Sequence, residues 1–161
     1  MPNPLRRYLL AFALAVFLGG VSATGAAARL DGPPRIQRPP AQKPRPTLGQ
    51  RAARLALKAV GVPYVWGGSS PSSGFDCSGL VSWAYGRLGV RLPHSSYALY
   101  DRGRRVARSR LKAGDLLFFY GLGHVGVYLG RGRMVHAPSS GRRVEVVPLG
   151  GRYLIGARRV T

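Results

Sequence analysis

The sequence predicts an α+β domain: helices first, then an antiparallel sheet of about five strands. Three observations carry this. Between Arg51 and Val60, Ala52, Ala53, Leu55, Ala56, Leu57 and Ala59 recur at helical spacing until Gly61 and Pro63 stop them. Behind Cys77, residues Leu80, Val81, Trp83, Ala84 and Leu88 repeat the pattern. Beyond Gly103 the texture changes to short apolar runs between glycines. Segregated helices and strands of this kind describe α+β rather than an alternating α/β fold.

Taken in order, the chain opens with a leader. Arg6-Arg7 precede an apolar stretch from Tyr8 to Val21, and the small residues Ser22-Ala23-Thr24-Gly25-Ala26-Ala27-Ala28 follow. That is the pattern of a secretory signal peptide over residues 1–28, with cleavage after Ala23 or Ala28. The stretch is short for a spanning helix, so contact with the membrane is expected only in transit, an uncleaved anchor being the competing reading. Residues 29–47 carry Pro33-Pro34, Pro39-Pro40, Pro44 and Pro46 among Arg and Gln. Proline at this density favours extended chain, so a spacer is expected there. The folded domain is expected over 48–161.

Within it the first helix covers Arg51 to Val60. A second begins at Cys77 and ends near Gly86 or Gly89. Ser95 or Ser96 caps a short third through Tyr100. The strands are Leu116–Phe119, His124–Leu129, Arg133–His136, Val144–Val147 and Tyr153–Ala157, with turns at Gly121-Leu122-Gly123 and Gly130-Arg131-Gly132.

Charge narrows the partners. The chain has 25 Lys+Arg against 5 Asp+Glu, a formal +20. Such a balance suits nucleic acid, anionic lipid or an anionic wall polymer. The basic residues are scattered, and neither a long basic run, a helix-turn-helix pattern nor zinc-finger spacing occurs, so nucleic acid is not expected. Electrostatic adsorption to an anionic cell wall remains open, beside a merely solvated surface.

The single cysteine, Cys77, cannot form an internal disulfide. It lies at the expected start of a helix, where unpaired N–H groups and the helix dipole favour the thiolate. On its own it could equally be a small buried hydrophobe. Two histidines change the balance. His124 opens a strand after a glycine-rich turn, which should expose its ring at a sheet end, and His136 ends the next strand. Adjacent antiparallel strands can set the two rings side by side. A thiol nucleophile needs an imidazole to accept its proton, and the imidazole needs a polar group on its other nitrogen. Cys77, His124 and His136 can fill those roles in that order. One cysteine with two histidines is also a possible zinc set, but CxxC and HxxxH spacings are lacking, and neither metal nor cofactor is expected.

The chain resembles the NlpC-type cysteine peptidases, papain-like enzymes that cut peptidoglycan stem peptides. The resemblance runs through Gly61-Val62-Pro63-Tyr64-Val65-Trp66-Gly67-Gly68 and Phe75-Asp76-Cys77-Ser78-Gly79-Leu80-Val81. It continues through Leu92-Pro93, Gly114-Asp115-Leu116-Leu117-Phe118-Phe119, His124-Val125-Gly126-Val127-Tyr128-Leu129-Gly130 and Met134-Val135-His136-Ala137, all in the family's order. It implies a papain-like fold, Cys77 as nucleophile, His124 as base and His136 as orienting residue. It further implies that Asp76 and Ser78 help bind the peptide and that Tyr64 lies beside the thiol. The Asp76 carboxylate could receive a peptide amine or could simply cap the helix. Tyr64 could donate to an oxyanion or pack in the core. Asp115 reads as a turn former. The family usually has arginine where this chain has His94, a departure that bears on the substrate groove. The implied function is a secreted wall hydrolase acting on the γ-D-glutamyl–diamino-acid bond, with peptidoglycan stem peptides as partner. An amidase or acyltransferase on the same fold, and a non-catalytic wall-binding module, are the alternatives.

Overall fold

A computed structural model describes residues 43–161. The expected leader, and the spacer up to residue 42, lie outside the described residues. The described residues form one compact unit.

Helix α1 spans Leu48–Lys58. It starts three residues earlier than expected because Thr47 and Gln50 form a reciprocal capping box: each side chain accepts from the other's backbone N–H. Two short strands follow, β1 (Ser69–Ser70) and β2 (Gly74–Phe75), paired as a hairpin that the sequence had shown only as a turn. Helix α2 runs Cys77–Gly86 and α3 runs Ser96–Tyr100, capped by Asp76 and Ser95. The remaining strands are β3 (Arg104–Arg105), β4 (Leu116–Phe119), β5 (His124–Gly130), β6 (Arg133–His136), β7 (Glu145–Pro148) and β8 (Gly156–Arg159).

These last six form one antiparallel sheet in the order β3-β8-β4-β5-β6-β7. The sheet therefore has six strands, not five. The extra one is an exposed two-residue edge whose arginines, Arg104 and Arg105, carry no apolar signal. The last strand lies later than expected, at Gly156–Arg159: its register with β4 begins at Gly156, and Ile155 before it reaches β4 through its N–H, which donates to the Phe118 carbonyl at 2.9 Å.

Strand β4 explains how the layers fit. All four of its side chains are buried. Leu116 and Phe118 join the main core with Ala52, Ala56, Leu80, Val81 and Tyr85 from the helices. Leu117 and Phe119 face a second cluster with Met134, Leu149 and Ala157. A strand covered on both faces reads as a continuous apolar run, which is what Leu-Leu-Phe-Phe is. The helical layer is pinned to the sheet: Tyr85 is fully buried and its hydroxyl donates to the Gly114 carbonyl at 2.7 Å. Helix α2 packs on β5, and α1 on β5 and β6. The start of α2 thus comes to lie against the head of β5.

Candidate active site

Cys77 is the first residue of α2, so its N–H has no partner one helical turn back. The sulfur is half-buried and faces the N–H groups of Val125, Ser78 and Cys77 itself. Val125 follows His124 on β5, so the helix start and the strand head meet at the thiol. Cys77, His124, Tyr64, Asp76, His94 and Trp66 line one cleft of about 550 Å³.

The helix terminus does not win control of the thiol. Burial pushes its pKa up, and the nearby Asp76 carboxylate adds to the rise, against the lowering effect of the three N–H groups. The resting sulfur is protonated at neutral pH, contrary to the thiolate expected from helix position alone. A protonated thiol needs a base before it can act as a nucleophile.

His124 is 9 % exposed, not presented at an open sheet end as its place after a glycine turn suggested. Phe119 and Tyr120 tilt against its ring at 6.3 and 6.2 Å. Its Nε2 lies 2.8 Å from His136 Nδ1, with the two rings edge to face. Gly126 makes this approach possible. It shares a face with His124, and even a bare Cβ there would sit 3.4 Å from the His136 Cβ and 3.2 Å from the Met134 sulfur. Burial pushes both imidazoles down to about 4; the neighbouring ring and Arg152 add to the fall at His124, and Arg152 and Arg142 at His136. Both rings are neutral at pH 7, the form in which a histidine can accept a proton.

Asp76 caps α2. Its carboxylate accepts from Gly79 N at 2.7 Å, Ser78 Oγ at 3.0 Å and Gly67 N at 2.9 Å, and it contacts His94 Nε2 at 2.9 Å through both oxygens. Burial works to raise its pKa, but the Gly79 N–H, His94 and Ser78 together outweigh burial and hold it below the usual carboxylate value. Of the two roles weighed for Asp76, the cap is visible in the geometry. Ser78 is buried and turned toward this carboxylate. Tyr64 bridges to Phe75 beside the thiol, and its hydroxyl is pushed up by burial and by the charges of Cys77 and Asp76. Among the described residues, no group of three or more His, Cys, Asp or Glu is arranged to hold a metal ion.

The NlpC/P60 family model matches residues 61–157. The chain belongs to the NlpC/P60 family. It is 47% identical over 130 residues to a protein of Mycobacterium tuberculosis (strain ATCC 25618 / H37Rv) named a probable endopeptidase, covering 74% of this chain and 34% of that one. It is 41% identical over 127 residues to the murein DD-endopeptidase MepH of Escherichia coli (strain K12), covering 69% of this chain and 47% of MepH. The chain thus spans a third to a half of these relatives' lengths. Among solved structures, the NlpC/P60 domain of the peptidoglycan hydrolase SagA matches with TM-score 0.64 and 36% identity, over 70% of this chain and 98% of that domain. The peptidoglycan hydrolase RipB of Mycobacterium tuberculosis matches with TM-score 0.64 and 37% identity, over 70% and 64%. These neighbours bear out the α+β, papain-like architecture.

Two features of this NlpC/P60 site escaped the sequence reading. One is the His94 contact to Asp76, since the residues are 18 apart in the chain and nothing local links them. The other is Glu145, which sits opposite His136 in the β6–β7 register. With only five acidic residues in the chain, a glutamate inside an apolar strand was the available signal.

Proposed function

We propose that this NlpC/P60 domain is a secreted hydrolase that cuts peptidoglycan stem peptides through an acyl-enzyme on Cys77. The observation that carries the reading is the buried 2.8 Å contact between His124 and His136 at the head of β5, where the sulfur of Cys77 also lies. In this reading His124 accepts the thiol proton as sulfur attacks the peptide carbonyl carbon. The oxyanion is received by the Cys77 N–H and the Tyr64 hydroxyl. On collapse the C–N bond breaks, and the imidazolium gives its proton to the departing amine. Water, deprotonated by His124, then attacks the thioester; the C–S bond breaks and the thiol is restored.

We place the scissile bond between γ-D-glutamate and the diamino acid. Relatives bear names for two bond classes: MepH is a DD-endopeptidase, whereas CwlT of Bacillus subtilis (strain 168), 44% identical over 92 residues, is named a bifunctional muramidase/DL-endopeptidase. The proposed bond falls in the second class. Asp76 and Ser78 support it by setting a negative charge at the cleft wall, where a peptide ammonium would compete with His94. Secretion rests on the leader pattern of residues 1–28, and the excess of basic side chains supplies attraction to an anionic wall.

Mass spectrometry of fragments released from purified sacculi tests the reading. Wild-type protein should release peptides that begin at the diamino acid and leave glycan-bound stems ending in γ-D-glutamate, EDTA should not change the yield, and Cys77→Ala should release nothing while staying folded. Release by Cys77→Ala, or loss on chelation that zinc restores, would overturn it.

A further inference from the structure

The two neutral imidazoles pose a question that their contact does not answer alone: which nitrogens carry the protons. His124 Nε2 and His136 Nδ1 face each other at 2.8 Å, so one donates and the other accepts. If His136 donates from Nδ1, then His124 must hold its own proton on Nδ1. His124 Nε2 is already spent on His136, so its remaining nitrogen, Nδ1, would then have no lone pair for a thiol proton. If His124 donates from Nε2, its Nδ1 is free to accept. The relay works in one tautomer only.

Glu145 decides between the two. The β6–β7 register sets it directly opposite His136. Its Oε1 is 3.5 Å from His136 Nε2. Both atoms are buried, and neither makes a hydrogen bond as the side chains stand, so each is the unpartnered polar atom that the other faces. Arg142 lies 2.5 Å from the same oxygen, an ion pair out of line for a hydrogen bond. A carboxylate oxygen can only accept. A lone pair on His136 Nε2 would face it acceptor to acceptor in a buried space, which is unfavourable. A proton on His136 Nε2 makes a donor–acceptor pair of the same two atoms. His136 then has its lone pair on Nδ1, His124 must donate from Nε2, and His124 Nδ1 is left open.

We propose that Glu145, steadied by Arg142, is a positioning residue that fixes the tautomers of both His136 and His124, so that His124 keeps its accepting nitrogen free. This rests on the peptidase reading for its consequence, but not for its test. Burial, Arg152 and Arg142 oppose a positive charge on His136, so the carboxylate can select its tautomer without leaving the ring protonated twice.

The experiment is a long-range ¹H–¹⁵N correlation spectrum of ¹⁵N-histidine-labelled protein at neutral pH, which distinguishes the two tautomers of each ring. Wild-type protein should show His136 in the Nε2–H form. Glu145→Ala should convert a large part of His136 to the Nδ1–H form, and Glu145→Gln, whose amide oxygen still accepts, should restore it. On a stem-peptide substrate, Glu145→Ala should lower kcat at least tenfold with KM within about twofold, and Glu145→Gln should recover most of that loss. His136 in the Nδ1–H form in wild type, which needs no variant to fold, overturns the proposal. So does an unchanged tautomer in Glu145→Ala. The spectrum requires no activity, so an inactive wild type would count against the peptidase reading and leave the tautomer assignment standing on its own result.

Discussion

Acid should unfold this domain through the same two rings that serve the site. His124 and His136 are 9 % and 5 % exposed, and burial lowers both from 6.5 to about 4. In the unfolded chain they titrate near 6.5. Between these values the unfolded state binds protons that the folded state refuses, so stability is complete above about pH 6.5 and drains away as pH falls toward 4. For one imidazole with these two pKa values, moving from pH 7 to pH 4.5 removes about 2 kcal/mol. Both together remove up to about 4, less if the pair accepts a first proton more readily than a second. Against a typical total of roughly 5–15 kcal/mol that is a large share. Asp76 does not confuse the window: its lowered pKa gives stability that is lost only as pH falls below the unfolded carboxylate value of 3.8. Urea titrations at a series of pH values should show the loss in wild type, with most of it absent from a variant carrying His124→Asn and His136→Asn. Equal losses in the two proteins between pH 7 and 4.5 would refute the reasoning.

Two further predictions concern what holds the site in place. Asp115 is 1 % exposed and takes both a 2.6 Å contact from Arg159 Nε and a 2.7 Å contact from its Nη2, so Arg159→Met should destabilise by about 3–5 kcal/mol, and adding Asp115→Asn should recover part of it in a double-mutant cycle. Gly79→Ala should cost about 1–3 kcal/mol and lower kcat/KM, because its Cβ would lie 2.0 Å from the Gly68 carbonyl and push the start of α2, with Cys77, away from the Gly68 turn; unchanged melting and turnover would show that this turn yields freely.

What could be read in advance follows the range of the interactions involved. The helices, the four-residue strands and the glycine turns depend on near neighbours, and the sequence spacing marked them. Cys77, His124 and His136 each sit at an end of a predicted element, and the fold brings those ends close together. What failed was environment. Position at a helix start argued for a thiolate, and position after a turn argued for an exposed His124, yet the junction of α2 and β5 is buried enough to reverse both inferences. Asp115, read as a turn former, does accept from the Lys112 N–H as such residues do, but it also anchors Arg159 from 44 positions away. Pairings of that kind leave no local trace.

The distribution of the few acids makes the same point in chemical terms. In a chain of net charge +20, Asp76, Asp115 and Glu145 are each drawn into the fold and matched to a cation or an imidazole. One caps the helix that carries the thiol, one ties β8 to the turn before β4, and one stands behind the second histidine. Burial raises the thiol and lowers the imidazoles, so the resting pair is uncharged and proton transfer separates charge within a half-buried cleft. That separation is opposed by the same burial that keeps the resting pair neutral. It becomes favourable only as the sulfur bonds to a carbonyl carbon and the negative charge moves to an oxygen facing the Cys77 N–H. In the proposed reaction the arrangement therefore suits a nucleophile that is quiet until a peptide fills the cleft, with His124 as the group whose free nitrogen is to be ready at that moment.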